Sequence, residues 1–178
     1  LGTETAFKVL AQAKDLEAAG KSIVHLEIGQ PDFPTPENIC AVGKHAIDAG
    51  HTGYGPTCGL PALRQSIASH VGATRGIPVK PSQVVVTPGG KPVMFYTLLA
   101  LIEAGDEVVY PDPGFPIYRS LIDYAGGKPV AMPLTEENDF SFDVDHLRSI
   151  VSDQTTLLIL NSPQNPTGGV LNKNALRE

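Results

Sequence analysis

The stretch Gln83–Ile102 constrains the fold most, because it changes from a strand pattern to a helix pattern within a few residues. The β-branched run Val84–Val86 predicts a buried strand, and the apolar run Val93–Ile102 predicts a helix. Between them, Pro88-Gly89-Gly90-Lys91 places glycine backbone at a helix N-terminus, where unpaired N–H groups and the helix dipole favour an anion. A phosphate fits this turn, and a plain chain reversal is the alternative explanation.

Strand and helix patterns alternate along the rest of the chain. The predicted strands are residues 22–28, 84–86, 107–110, 128–132 and 155–160, and the predicted helices are residues 5–19, 36–50, 60–72, 93–102, 116–124 and 143–151. The last strand is apolar throughout, which is typical of a strand buried on both faces of a parallel sheet. The pattern predicts an α/β three-layer sandwich with a mostly parallel sheet, preceded by a helical and extended N-terminal segment.

Three unusual loops follow predicted strands, at residues 87–91, 111–115 and 161–169. The last of them, Asn161-Ser-Pro-Gln-Asn-Pro-Thr-Gly-Gly169, is more elaborate than a simple connection requires. Ligands of open α/β sheets bind outside the carboxyl ends of the strands. We therefore expect the three loops to converge on one crevice.

Charge and cysteine content exclude several classes of function. A net charge of -6 without a basic patch argues against nucleic acid or an anionic membrane as partner. Cys40 and Cys58 are too few and too far apart for a disulfide framework or a metal site, and we expect buried thiols in a reducing compartment. With neither a leader pattern nor a membrane-length apolar run, the sequence predicts a soluble cytoplasmic protein. Arg64 is interpreted as a surface residue that forms an ion pair.

Six segments together carry a resemblance to a known family. They are Gly29-Gln-Pro-Asp-Phe-Pro-Thr-Pro36, Tyr54 with Gly59, Leu63 and Arg64, Thr87-Pro-Gly-Gly-Lys91, Gly105-Asp-Glu-Val108, Asp112-Pro-Gly-Phe-Pro-Ile-Tyr118 and Asn161-Ser-Pro-Gln-Asn-Pro-Thr-Gly168. In this order they resemble the pyridoxal-phosphate-dependent class I/II aminotransferases of fold type I, the group that includes aspartate aminotransferase. The resemblance runs from Glu4 to Leu171.

The resemblance implies a role for each matching residue. Gly89, Gly90 and Lys91 would hold the phosphate of pyridoxal 5'-phosphate, Phe115 would stack on its ring, and Asn165 would donate to its phenolic oxygen. The hydroxyl of Tyr54 would reach the cofactor of a second subunit, which implies a homodimer. The backbone N–H of Gly29 would meet the substrate carboxylate. The resemblance also implies cis peptide bonds before Pro113 and Pro166.

The positions of the family's domains and catalytic residues along the sequence imply that this chain is incomplete. The resemblance assigns residues 1–50 to the small domain and dimer arm and residues 51–178 to the first part of the cofactor-binding large domain. It places three residues beyond Glu178: the Schiff-base lysine, the partner of the pyridine nitrogen and the arginine that binds the substrate carboxylate. Lys91 would lie at the phosphate end of the cofactor, too far from the aldehyde carbon to replace that lysine. Residues 172–178 read as a helix that has barely begun, so we expect a truncated chain.

The function implied by the resemblance is amino transfer between an amino acid and a 2-oxo acid. A lyase or synthase of the same fold is an alternative, because these enzymes share this part of the chain. A non-catalytic regulator domain is a second alternative, disfavoured by the acidic charge and the lack of a basic DNA-binding segment. A nicotinamide dehydrogenase is disfavoured because the turn lacks the third glycine and Asp112 lies between two prolines.

Overall fold

The computed structural model describes residues 5–178, which form two compact units. One unit combines the N-terminal segment up to Ile23 with Gly90–Glu178, and the other is Val24–Gly89. The predicted division into domains 1–50 and 51–178 follows a different criterion and stays a prediction, and the first four residues of its N-terminal domain lie outside the described residues.

The larger unit contains a three-stranded parallel sheet, in which the first strand along the chain lies between the second and the third. Helix α1 spans Thr5–Ala18; it belongs to this unit, as do all of the elements named next. In chain order these are β1 (Glu107–Asp112), β2 (Lys128–Pro133) and β3 (Thr155–Leu158), with a helix before β1 (Lys91–Leu101), a helix between β1 and β2 (Ile117–Ala125) and a helix between β2 and β3 (Val144–Ile150). The three predicted strands and their intervening helices are confirmed to within a few residues.

Helices cover both faces of this sheet. On one face, Val108 and Tyr110 of β1 pack with Leu98 of the Lys91–Leu101 helix and Ile122 of the Ile117–Ala125 helix. On the other face, Val109 of β1 packs in a second cluster together with residues of the Val144–Ile150 helix. Because successive side chains of a strand point to opposite faces, one strand supplies both cores. This confirms the predicted three-layer α/β arrangement.

Strand β3 is less buried than its apolar sequence predicts. Leu158 is 37% exposed, and Leu160 just beyond the strand is 42% exposed, whereas Val108 and Val109 of β1 are fully buried. β1 has a strand neighbour on each side, and β3 pairs with β1 alone in the described part of the chain. The prediction of burial on both faces is therefore wrong for β3, because a strand that has one neighbour in the sheet is less covered than the central strand β1.

A hydrogen-bonded carboxylate joins the amino ends of the three strands. Glu107 is buried, and its carboxylate accepts from Lys128 Nζ at 2.7 Å and from Ser152 Oγ at 2.7 Å, with Thr155 Oγ1 at 3.5 Å. The hydrogen bond from Lys128 is the largest cause that lowers the pKa of Glu107, followed by that from Ser152. The network fixes the end of the sheet opposite to the loops that follow β1 and β3.

The smaller unit, Val24–Gly89, contains two helices, Glu37–Asp48 and Pro61–Arg75. In chain order the α-helices of residues 5–178 are thus α1, α2 (Glu37–Asp48), α3 (Pro61–Arg75), α4 (Lys91–Leu101), α5 (Ile117–Ala125) and α6 (Val144–Ile150). Arg64 of α3 donates from Nε to the carbonyl oxygen of Val84 at 2.8 Å. Among the described residues it forms this backbone contact instead of the predicted surface ion pair, because the extended chain at Val84 runs beside the helix.

Two predicted strands are not strands in the structure. Residues 22–28 are irregular, and Val24 and Leu26 of the predicted buried face are 83% and 88% exposed. Residues 84–86 are extended, with Val84 buried and Val85 62% exposed, but they join no ladder among the described residues. The sequence patterns indicate an extended backbone, and a strand also requires a neighbour to pair with.

The C-terminal residues and the two cysteines differ from what the sequence predicts. Residues 172–178 form a turn in which the side chain of Asn172 accepts from the N–H of Asn174 at 2.8 Å, and the predicted helix is absent there. Cys40 and Cys58 are free and half-buried instead of fully buried. Within residues 5–178, none of the helices has the length and apolar character needed to cross a membrane.

Candidate functional site

The turn before α4 has the geometry expected of an anion site. Gly89 has φ of 94°, and a Cβ built on Gly89 or Gly90 would meet no atom within 4 Å, so the backbone is open to close approach. Gly90 is the N-cap, and no side chain caps the helix. In the first turn, Pro92 has no N–H, and Val93 N donates to Gly90 O at 3.1 Å. Lys91 is the first residue of α4, two residues earlier than the predicted helix start.

The turn after β1 carries an aromatic ring, Phe115, just beyond the carboxyl end of the strand. Phe115 is partly buried against the core cluster to which α4 contributes Met94 and Leu98. Its ring meets the ring of Tyr118 edge-on, with centroids 5.9 Å apart and an interplanar angle of 81°. A Cβ on Gly114 would collide with the carbonyl of Pro111, so the tight turn that aims Phe115 requires glycine.

A cleft of about 190 Å³ opens beside the Phe115 ring. It is lined by Tyr110, Pro111, Asp112, Gly114, Phe115, Pro116 and Arg119. Burial raises the pKa of Tyr110, and the negative charge of Asp112 adds to this. Burial also raises the pKa of Tyr118, partly offset by a hydrogen bond with the side chain of Asn161. Both phenols therefore remain protonated hydrogen-bond donors across the physiological pH range.

The loop after β3 is closed by its own backbone. Gln164 N donates to Gly169 O at 2.7 Å, and Gly168 N donates to Gln164 O at 2.7 Å. Asn165 lies inside this closed loop, and its side chain is exposed. The peptide bonds before Pro113 and Pro166 are cis, as predicted, and the bond before Pro163 is also cis, which was not predicted.

A side-chain contact joins the loop after β3 to the turn after β1. Gln164 Nε2 donates to the carbonyl oxygen of Pro113 at 2.8 Å. The side chain of Asn161, in the same loop, lowers the pKa of Tyr118, whose ring contacts the Phe115 ring. The structure thus brings two of the three predicted loops together, the ones that carry Phe115 and Asn165.

The candidate site residues are divided between the two units. Gly90, Lys91, Phe115 and Asn165 lie in the larger unit. Gly29, Tyr54 and Gly89 belong to the Val24–Gly89 unit. There, Gly29 has no neighbouring atom within 4 Å of a built Cβ, and Tyr54 is fully exposed beside a cleft of about 510 Å³ that also includes His51 and Leu60.

Sequence reasoning missed the residues that hold the loops together. Gln164 and Asn161 were recognised as parts of a motif, and neither was given a role of its own. The available signal was the position of Gln164, an amide between Pro163 and Pro166 in the loop that follows β3. Such a residue has few ways to remain hydrated, so a hydrogen-bonded structural role could have been inferred. The described residues contain no group of three or more His, Cys, Asp or Glu side chains arranged to bind a metal.

Comparisons with known proteins agree on one family. The sequence profile "Aminotransferase class I and II" matches residues 21–178. The chain is 42% identical over 165 residues to an aspartate aminotransferase of Pyrococcus abyssi, covering 92% of this chain and 42% of that protein. It is 37% identical over 169 residues to a probable aspartate/prephenate aminotransferase of Thermus aquaticus, covering 95% of this chain and 44% of that protein.

Solved structures give the same result. A Thermus thermophilus aspartate aminotransferase with maleate superimposes with a TM-score of 0.94 at 34% identity, over 99% of this chain and 46% of that one. An alanine aminotransferase from Pyrococcus furiosus superimposes with a TM-score of 0.92 at 34% identity, over 98% of this chain and 45% of that one. The chain spans less than half the length of these relatives.

Proposed function

The chain belongs to the class I and II aminotransferases, and from this membership we propose that its protein transfers an amino group between an amino acid and a 2-oxo acid, with pyridoxal 5'-phosphate as cofactor. One observation carries the proposal. The turn that bears Phe115 and the loop that bears Asn165 are hydrogen-bonded to each other through Gln164 and Pro113, beyond the carboxyl ends of the strands, where open α/β sheets bind ligands.

The residues present fit this cofactor. A phosphate is favoured by the dipole of a helix N-terminus and by a nearby positive charge, and the N-terminus of α4 with Lys91 supplies both. Gly89 and Gly90 leave room for the phosphate, since a built Cβ meets nothing within 4 Å at either position. The flat pyridine ring matches the partly buried ring of Phe115, and the exposed amide of Asn165 can donate to an ionised phenolic oxygen.

Pyridoxal phosphate, when bound, supplies an electron sink that stabilises negative charge on the α-carbon of an amino acid. The residues of this chain bind and orient it. Lys91 and the first turn of α4 hold the phosphate end, and Phe115 fixes the plane of the ring. Asn165 keeps the phenolic oxygen ionised through a charge-assisted hydrogen bond, which maintains the polarisation that the reaction needs. The ring of Tyr118 packs against the Phe115 ring and helps to hold it in place.

Two further assignments belong to the same proposal. The exposed hydroxyl of Tyr54 contacts the cofactor phosphate of a second subunit, which makes the protein a homodimer, and the backbone N–H of Gly29 binds the substrate carboxylate. The family resemblance supports both assignments. The protein acts on small soluble amino acids and 2-oxo acids in the cytoplasm.

No lysine within residues 1–178 is assigned the Schiff-base role. Lys91 stands at the first residue of α4, the phosphate end of the site, and its Nζ lies 5.9 Å from the centroid of the Phe7 ring. Lys128 is bonded to Glu107 at the opposite end of the sheet. By the resemblance, that lysine belongs to the part of the family fold that follows this segment, and residues 1–178 alone are not a competent transaminase.

The test is a pair of assays on the protein at its natural length, whatever residues flank this segment. With an amino acid, a 2-oxo acid acceptor and pyridoxal phosphate, we expect the donor's oxo acid and the acceptor's amino acid to appear in equal amounts. Without the acceptor, product formation should stop after one equivalent per site, because the amino group has nowhere to go. Continued release of oxo acid and ammonia without an acceptor would identify a lyase instead.

A further inference from the structure

Gln164 is one of two buried polar or charged side chains in the described core, with 4% of its surface exposed. Its amide needs partners, because a buried amide offers two donor hydrogens and an acceptor oxygen. Nε2 donates to the carbonyl oxygen of Pro113 at 2.8 Å. Since a carbonyl can only accept, this contact fixes the orientation of the amide, with its nitrogen toward Pro113 and its oxygen away from it.

The two ends of the Gln164 amide differ in their contacts. Oε1 is buried and has no hydrogen-bond partner among the described residues. The contact that the amide makes is therefore the bond from Nε2 to Pro113, and an apolar side chain of similar length would leave that carbonyl oxygen without this donor.

The main chain of Gln164 is held as firmly as its side chain. Its N–H and C=O take part in the bonds to Gly169 and Gly168 that close the loop, each at 2.7 Å. Asn165 is the next residue, so the backbone from which its amide projects is fixed on its N-terminal side by three hydrogen bonds. Pro113 lies two residues before Phe115 on the other partner of the contact.

Resting on the function proposed above, we propose that Gln164 is a positioning residue, which locks the loop of Asn165 to the turn of Phe115 and so sets the placement of the phenolic-oxygen donor relative to the cofactor ring. It acts through Asn165 and touches neither cofactor nor substrate. A donor displaced by even an ångström loses much of a directional hydrogen bond.

The first measurement requires no cofactor. In the protein at its natural length, Gln164→Met removes the amide and keeps the length of the side chain. The substitution changes the side chain next to the residue-164 N–H, so the exchange rates of that amide cannot be compared directly. The reporter is therefore the Gly168 N–H, which we expect to exchange about five- to tenfold faster than in the wild type. Gln154→Met, which changes an exposed amide elsewhere, is the matched control and should leave that rate unchanged. An unchanged Gly168 rate in Gln164→Met overturns the proposal.

The second measurement reports on positioning. The pH midpoint at which the absorbance of the bound cofactor changes should rise by about half a unit or more in Gln164→Met, and we expect the same in Asn165→Ala, because the phenolic oxygen loses its donor. In the Asn165→Ala background, Gln164→Met should add nothing further. Gln164→Glu gives a further check on the exchange rate of the Gly168 N–H. Relative to the wild type at the same pH, this rate should be raised as in Gln164→Met at neutral pH. It should return toward the wild-type rate in acid, where the protonated carboxyl can donate to Pro113.

The outcomes separate the two proposals. Faster exchange together with an unchanged midpoint shows a structural role only and overturns the positioning role. Additive effects of Gln164→Met and Asn165→Ala overturn it as well. A wild-type protein that binds no pyridoxal phosphate contradicts the proposed function and the positioning role with it, while the exchange rate of Gly168 still decides whether Gln164 locks the loop.

Discussion

The ring of Tyr118 stands edge-on to the ring of Phe115, with centroids 5.9 Å apart and planes at 81°. Tyr118 is buried, and that burial raises the pKa of its phenol. Phe115 is therefore held against a core side chain, and it also lines the cleft at the end of β1.

Replacing Phe115 should weaken cofactor binding. We expect Phe115→Leu to raise the dissociation constant for pyridoxal phosphate about two- to tenfold, since a stacked ring contact contributes about 0.5–1.5 kcal/mol beyond burial. Titration followed by absorbance measures this. Phe95→Leu is the control, because Phe95 is another partly buried ring, packed against Tyr96 and Tyr124. Equal losses in the two variants would contradict a specific role for Phe115.

Acid should remove the contribution of Glu107 to stability. Its pKa is lowered in the folded state, chiefly by Lys128, so the carboxylate stabilises the fold above the ordinary carboxyl pKa and loses this effect as pH falls through the lowered value. Glu107→Gln should therefore be less stable than wild type at pH 7, and the difference should shrink on acidification. Chemical unfolding at several pH values tests this, with the exposed Glu136→Gln as control. A difference that does not change with pH would count against the network.

Two glycine-to-alanine changes should have opposite signs. In Gly114→Ala the new Cβ collides with the Pro111 carbonyl and lies 3.2 Å from the Tyr118 ring, so we expect a loss of about 1–3 kcal/mol and weaker cofactor binding. In Gly43→Ala, inside α2, the Cβ meets nothing within 4 Å, and we expect a gain of about 0.5–1 kcal/mol from helix propensity. Thermal unfolding of both variants is the measurement, and a tolerated Gly114→Ala would contradict the tight turn.

Residues 1–178 alone should not form a specific covalent adduct. After incubation with pyridoxal phosphate and reduction with borohydride, mass spectrometry should find low labelling spread over exposed lysines, because Lys91 stands at the phosphate end and Lys128 is bound to Glu107. Lys91→Ala should leave this pattern essentially unchanged at the other lysines. Stoichiometric labelling of one lysine, with amino transfer, would show that a catalytic lysine lies within this segment.

The sequence predicted most of the larger unit because its signals are local. Alternating strand and helix patterns from Glu107 onward place β1, β2 and the helices beside them correctly, and the parallel arrangement follows from the crossovers. The segments 22–28 and 84–86 were predicted as strands and are unpaired among the described residues. Whether an extended segment pairs depends on a neighbour distant in sequence, which no local pattern encodes.

For the candidate site, the sequence predicted which loops meet but not which residues join them. The loops of Phe115 and Asn165 were expected to meet because both follow parallel strands, and the contact of Gln164 with Pro113 joins them. The specific residues that make this contact could not be derived, since a side chain reaching from one loop to a backbone carbonyl of another depends on both loop conformations. Arg64 illustrates the same limit, because its partner is the backbone of Val84 and not a charged side chain.

The network of Glu107, Lys128 and Ser152 has a consequence for protein engineering. It joins the strands at their first residues, and β1 is six residues long, so it lies roughly 20 Å from the loops at the far end of the sheet. Randomised libraries in those loops would leave this anchor intact. Selection for a new substrate could thus explore loop sequences while the strand register stays fixed from the other end.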